Sequence, residues 1–242
     1  MRHTRIAGLL AVVVVAGCTR SPAPVQIFVA ASVTDLAGAW QSEVPASLAF
    51  QYHAGGSMML ANQIVAGARA DLLLAAGPSV LKRLYERDLV ALVDSGYLHN
   101  RLVLVCAPNV PAPDSLPELW EPRFERIAVA DPDLAPAGSY TRQGLRRAGL
   151  WEALQGRIII TGDVRSALAA VASRAADAGF VYETDALLEP SLSVLRFEPD
   201  SHFPPVRYPL VMLKPARDES RALWSWLHTP EARTHARRYG FE

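Results

Sequence analysis

Short apolar segments alternate with helix-compatible stretches along nearly the whole chain, and four of the junctions share one form. Each runs from a strand end through a few small residues into a fresh helix start. The junctions are Ala30-Ala31-Ser32, Gly55-Gly56-Ser57, Pro136-Ala137-Gly138-Ser139 and Asp163-Val164, followed by VTDLAGAW, MMLANQIVAG, YTRQGLRRAG and RSALAAVASRAA. The alternation argues for an α/β architecture with parallel strand pairing. The junctions add a chemical constraint. Unpaired N–H groups and the positive end of the helix dipole make each such start an anion site. One is commonplace. Four in 242 residues, with Tyr182 as a fifth candidate donor, point to an enclosed anion pocket.

The pattern predicts strands over 25–30, 47–52, 71–75 and 101–107, with helices starting near 33, 57 and 79, the last opened by Pro78. A second block repeats the scheme with strands over 126–130, 157–161, 178–182, 193–197 and 208–213. The tail over 218–239 reads as helical, with Trp224, Trp226 and Leu227 packing on a lobe. Five prolines between 108 and 122 mark a loop or linker at a compositional break. No internal sequence repeat stands out. At this length two lobes of roughly 100 residues each are expected. The chain would cross twice between them, giving lobe I as 25–102 plus 206–242 and lobe II as 103–205.

The chain carries 24 basic and 24 acidic side chains, with no basic stripe or Lys/Arg run, so nucleic-acid binding has no support. A bound anion would have to be held by local donors rather than by a global positive field. The six histidines, His3, His53, His99, His202, His228 and His235, show no metal-ligand spacing. His53 precedes the Gly55-Gly56-Ser57 turn and reads either as a pocket-mouth residue or, preferably, as surface packing.

Arg2, His3 and Arg5 form a basic start to an apolar run over 6–17 that is too short to span a membrane comfortably. It ends in Val15-Ala16-Gly17-Cys18, which resembles a bacterial lipobox, so 1–18 reads as a lipoprotein signal peptide and lipobox cysteine, with cleavage before Cys18 freeing it for lipid attachment. The alternative is an ordinary secretion signal with an incidental cysteine. Residues 19–24 read as a polar tether. Cys106, in the apolar run 102–107, is expected to be a buried, inert thiol.

The segments IFVAASVTD (27–35), GGSMMLANQIVAGARADLLLAA (55–76), AVADPDLAPAGSYTRQGL (128–145), TGDVRSALAAVASRAADAGFVYETDA (161–186) and RRYGF (237–241) together resemble the periplasmic molybdate-binding protein family. The resemblance covers 25–242. It implies a type II periplasmic-binding-protein fold, two α/β lobes with mixed, mainly parallel sheets joined by two crossover segments. It implies a solute receptor rather than an enzyme, monomeric, without cofactor, taking molybdate or tungstate as its transported ligand. Its partners would be the permease subunits of an ABC importer and, through Cys18, a membrane facing the periplasm or cell exterior. By the same resemblance Ser32 and Ser57 would offer hydroxyl and backbone N–H, Ala137 and Val164 backbone N–H, and Tyr182 its phenol. The oxyanion would be held without direct bonds from protein to metal. The chain has Gly55-Gly56-Ser57-Met58 where the family favours Gly-Ser-Ser-Gly, so Met58 is expected to alter the local turn.

A tetrahedral dianion has four acceptor oxygens and no donor, so a donor-rich pocket without Lys or Arg suits it and disfavours phosphate, which keeps a proton. Sulfate differs only in size, and sulfate or another small anion, an organic one included, remains the alternative ligand on the same fold. Taken singly, Ser32 and Ser57 read as helix N-caps, Asp163 as the N-cap of the helix from Val164, Tyr182 as half-buried packing and Asp71 as structural. A hydrolase built on Ser57 with His53 or His202 as base lacks the Gly-x-Ser-x-Gly elbow. A regulatory effector domain lacks any helix-turn-helix region.

Overall fold

The computed structural model describes residues 23–198 and 202–242, so the expected signal segment, Cys18 and most of the tether lie outside the described residues. The first lobe carries β1 (Val25–Ala30), α1 (Thr34–Glu43), β2 (Phe50–Gly55), α2 (Ser57–Val65), β3 (Leu72–Leu74), α3 (Ser79–Glu86) and β4 (Val90–Asn100). The second carries β5 (Leu102–Cys106), β6 (Ile127–Ala130), α4 (Pro136–Arg147), β7 (Ile158–Thr161), α5 (Val164–Ala172), β8 (Ala178–Tyr182), α6 (Glu183–Ala186) and β9 (Ser193–Arg196). The chain then returns to the first sheet as β10 (Val206–Leu213) and ends in α7 (Asp218–Leu227) and α8 (Pro230–Arg238).

The sheets have orders β2-β1-β3-β10-β4 and β7-β6-β8-β5-β9. In each, three neighbouring strands are parallel, followed by two antiparallel pairings. The repeat that is absent from the sequence is therefore present in the topology. Four strands of each sheet run in one direction and a single strand, β10 or β5, opposes them, the mixed, mainly parallel arrangement that was expected. Leu72–Leu74, Leu102–Cys106 and Ile127–Ala130 are buried at every position, which is why they are unbroken apolar runs.

Three expectations shift and a fourth narrows. Residues 46–48 form a 3₁₀ turn, and the second strand starts at Phe50 and runs on to Gly55. β4 has no counterpart in the sequence reading: it lies at a sheet edge, and only Tyr97, Leu98 and Asn100 along it are buried. The tail is two helices, broken where Thr229 caps α8 and Pro230 opens it. Of the two readings of the proline-rich segment, loop or linker, the structure has a packed loop with one 3₁₀ turn over Leu116–Trp120. Its Leu116 and Leu119 are buried, and Arg157 Nη1 donates to the Leu119, Glu121 and Phe124 carbonyls at 2.9–3.0 Å, tying the segment to the second lobe.

Long-range polar contacts fix the first lobe. The Trp40 indole donates to the Ala232 carbonyl at 3.0 Å, locking α1 to α8. Asp71 takes the Gln26 N–H at 2.8 Å and both Arg217 nitrogens at 2.7–2.8 Å, the structural role expected of it. Burial opposes ionisation of Asp71, but the Arg217 and Gln26 contacts outweigh it and hold the carboxyl below its ordinary value. Cys106 is fully buried, and burial pushes its thiol up to about 11, leaving it protonated and unreactive.

Candidate anion site in the interlobe cleft

The strand ends of β1, β2, β6, β7 and β8 all deliver their following turns to one cleft, the region beyond the carboxyl ends of strands where open α/β sheets bind ligands. The cavity there is small, about 10 Å³. Its lining includes Ser32 and Ser57 from the first lobe and Ala137, Asp163, Val164 and Tyr182 from the second, with no Lys or Arg among the described residues. The structure thus brings all five sequence-predicted ligand positions around one space.

Neither serine is a helix cap. α1 is preceded by Val33 and α2 by Gly56, and neither cap position makes a side-chain hydrogen bond. Ser32 Oγ lies 3.0 Å from Tyr208 Oη, and Ser57 Oγ accepts the Ala76 N–H at 2.9 Å. Ala137 and Val164 sit in the first turns of α4 and α5, where backbone N–H groups have no intrahelical acceptor. Asp163 is the N-cap of α5: its carboxylate takes the Ser166 N–H at 2.9 Å, so an acidic residue is tolerated beside an anion site because it is engaged with the helix.

Tyr182 is almost wholly buried, yet its hydroxyl has no hydrogen-bond partner among the described residues. Burial, with Tyr208, Tyr140 and Asp185 nearby, pushes its phenol well above the ordinary value, so it stays a donor. A buried hydroxyl without a partner costs about 1–3 kcal/mol, and a group aimed at a ligand-sized space is where such a cost persists.

Met58 leaves the cavity alone. Its backbone N–H donates across the cleft to the Leu134 carbonyl at 3.2 Å, and its side chain packs beside Ser79. His53 is exposed on β2 against the Phe28 ring, away from the cavity lining. Four polar residues next to the site escaped sequence reasoning: Tyr208, Asn100, Arg165 and Asp35. No local motif could have found Tyr208, which lies 176 positions from Ser32.

Two lobes of matching topology that close on a small donor-lined cavity define a solute-binding protein of the type II periplasmic fold. The chain belongs to the bacterial extracellular solute-binding protein family, whose pattern matches residues 25–242. YvgL of Bacillus subtilis, provisionally named an ABC transporter substrate-binding lipoprotein, is 33% identical over 252 residues, covering 98% of this chain and 96% of its own. The molybdate-binding protein ModA of Haemophilus influenzae is 33% identical over 232 residues, covering 90% of each. The periplasmic molybdate-binding protein of Azotobacter vinelandii superposes with a TM-score of 0.81 over 90% of this chain and 98% of that one; at 22% identity it speaks for the fold.

Proposed function

We propose that this chain is the extracytoplasmic receptor of an ABC importer, closing its two lobes around molybdate or tungstate. The observation that carries the reading is the buried, unpartnered Tyr182 hydroxyl in a cavity whose other polar groups reach in from both lobes. Ser32, Ser57, Ala137, Val164 and Tyr182 would supply about seven donors, a gross ~10–20 kcal/mol at roughly 1.5–3 kcal/mol each to a charged acceptor. Micromolar binding needs about 8 kcal/mol net, which leaves room for dehydration of the anion and closure of the lobes. The small volume favours an inorganic anion over an organic one. Metal would enter only as the oxyanion, with no cofactor. Closure would be read by permease subunits, and Cys18, after lipidation, would hold a monomeric receptor at a membrane.

Sulfate shares the charge and shape and is the second reading. Calorimetric titration of the protein from residue 19 onward tests both. Tight one-to-one binding of molybdate and tungstate, with weak sulfate and silent phosphate, is expected. Tight sulfate binding would move the receptor to another oxyanion, and silence for all four would overturn the pocket.

A further inference from the structure

Behind the cavity a chain of buried side chains ends on Ser32. The Arg101 backbone N–H donates to Asn100 Oδ1 at 2.8 Å. A backbone N–H can only donate, so the orientation of the Asn100 amide follows from its network: Nδ2 carries the hydrogens. They go to Thr184 Oγ1 at 2.8 Å and to Tyr208 Oη at 3.2 Å. Tyr208 Oη thus accepts from Asn100, and its single hydrogen is left for Ser32 Oγ at 3.0 Å. Burial raises the Tyr208 phenol far above its ordinary value, so that hydrogen stays in place. Ser32 Oγ has then accepted, and its own hydrogen turns to the cavity it lines. Ser57 reaches the same state in one step, because its Oγ accepts from the Ala76 N–H.

We propose that Asn100 and Tyr208 are positioning residues for anion capture, a relay that loads Ser32 Oγ from behind and biases its hydrogen towards the ligand. The proposal rests on the oxyanion-receptor reading above. A hydroxyl is by nature both donor and acceptor, and one free to rotate can accept the proton of hydrogen phosphate as readily as it donates to molybdate. By occupying one of the two Ser32 lone pairs and leaving Tyr208 no capacity to take the Ser32 hydrogen, the relay biases the hydroxyl towards donation. Tyr208 stands on β10 and Asn100 at the end of β4, both in the first lobe, so the donor state of Ser32 is set before the second lobe closes.

The test is a double-mutant cycle on the protein from residue 19 onward, read by molybdate titration with phosphate as competitor. Tyr208→Phe keeps the ring and removes the relay. It should weaken molybdate by about tenfold in the otherwise intact protein, but by less than about twofold in a Ser32→Ala background, where no hydroxyl remains to position. The ratio of molybdate to phosphate affinity should narrow by about tenfold in Tyr208→Phe, as Ser32 regains its acceptor role. Asn100→Ala enters the relay one bond earlier and should show the same non-additivity with Ser32→Ala, so a folding defect in one variant does not decide the matter. Equal losses in both backgrounds, or an unchanged molybdate-to-phosphate ratio, would overturn the relay while leaving the receptor intact. Silence of the unmutated protein towards molybdate, tungstate and sulfate alike would overturn the receptor reading and the relay with it.

Discussion

Arg165 Nη2, near the start of α5, stands 2.6 Å from the Asp35 carboxylate on α1, an ion pair drawn between the two lobes. The same guanidinium places Nε 2.7 Å from Asp185 and reaches the Ser32 carbonyl at 3.4 Å. At another point of the cleft the Met58 N–H meets the Leu134 carbonyl, and Gly56 lies so near that a Cβ there would stand 3.0 Å from the same oxygen. The contacts to Asp35, the Ser32 carbonyl and the Leu134 carbonyl cross between the lobes and exist only when the lobes are together, whereas Asp185 holds Arg165 from within its own lobe. A ligand gripped by both lobes favours that state through its differential affinity, and direct interlobe contacts lessen what the ligand itself must contribute.

Asp35→Asn should therefore weaken oxyanion binding without touching the cavity. Both partners are partly exposed, so the pair is worth no more than about 1 kcal/mol and the affinity should fall roughly two- to fivefold. The loss should shrink in high salt, where the intact pair is screened as well. Titration at low and high ionic strength checks this; an unaltered dissociation constant at low salt would show that the pair does not assist closure.

Ser57→Ala and Ser32→Ala should each act on the unliganded protein as well as on binding, because each leaves a buried donor without its acceptor, the Ala76 N–H or the Tyr208 hydroxyl. Both variants lose a ligand donor, and each should weaken binding by about 1–3 kcal/mol. An orphaned buried donor costs about 1–3 kcal/mol, which for a chain of this size lowers Tm by roughly 2–10 °C. Melting of the ligand-free variants provides the measurement, and an unchanged Tm would mean that the stranded donor finds another acceptor.

What could be read from the sequence was local. The unbroken apolar runs of β3, β5 and β6 announce doubly covered strands, and the small-residue junctions announce helix starts at a cleft. β4 stayed hidden because an edge strand need bury little: its apolar start, Val90 to Val93, is left half-buried or exposed, and Asp94, Ser95 and Gly96 interrupt it. Whether Ser32 and Ser57 cap helices was open until the helix starts and their partners appeared. Those partners, Tyr208 and Ala76, are 176 and 19 positions distant, set by sheet order rather than by any motif. Arg165 follows the donor Val164 directly in sequence, yet its reach to Asp35 depends on how the lobes meet.

Gly138 is required by contact, and its replacement should damage site and fold together. A Cβ there would stand 1.8 Å from the Ala130 carbonyl oxygen, backbone that cannot rotate aside. Gly138→Ala must push α4 off the end of β6 and carry the Ala137 N–H with it. Overpacking of this kind costs about 1–3 kcal/mol or more. The expected outcome is a lower Tm and weaker molybdate binding in the same variant, read by calorimetry. Wild-type values for both would show that α4 has room to move.

Cys18→Ser should release the full-length protein from the membrane fraction of expressing cells, because a single residue would carry the anchor. Fractionation and blotting decide it. Continued membrane retention would assign 1–18 to some other role than a lipoprotein signal.

Asp185 should set the slope of stability against pH in mildly acidic solution. Its carboxyl is fully buried, and burial raises it from an ordinary 3.8 to about 6, although Arg165 and the Tyr182 N–H pull the other way. Between about pH 4 and 6 the native protein keeps a proton that the unfolded chain has shed. Stability supplied by this group is therefore complete below pH 4, falls as pH rises, and levels off above 6. At about 1.4 kcal/mol per tenfold change in proton affinity, the whole step is roughly 3 kcal/mol. Asp71 and Asp177 work in the opposite sense: both carboxyls are held below the ordinary value, so their contribution is lost only as pH falls beneath that range. The window from 4 to 6 is thus left to Asp185 among the shifted carboxyls. Asp185→Asn, which keeps the shape and cannot ionise, should flatten the fall in Tm across that window. A slope identical to that of the unmutated protein would assign the titration to another group.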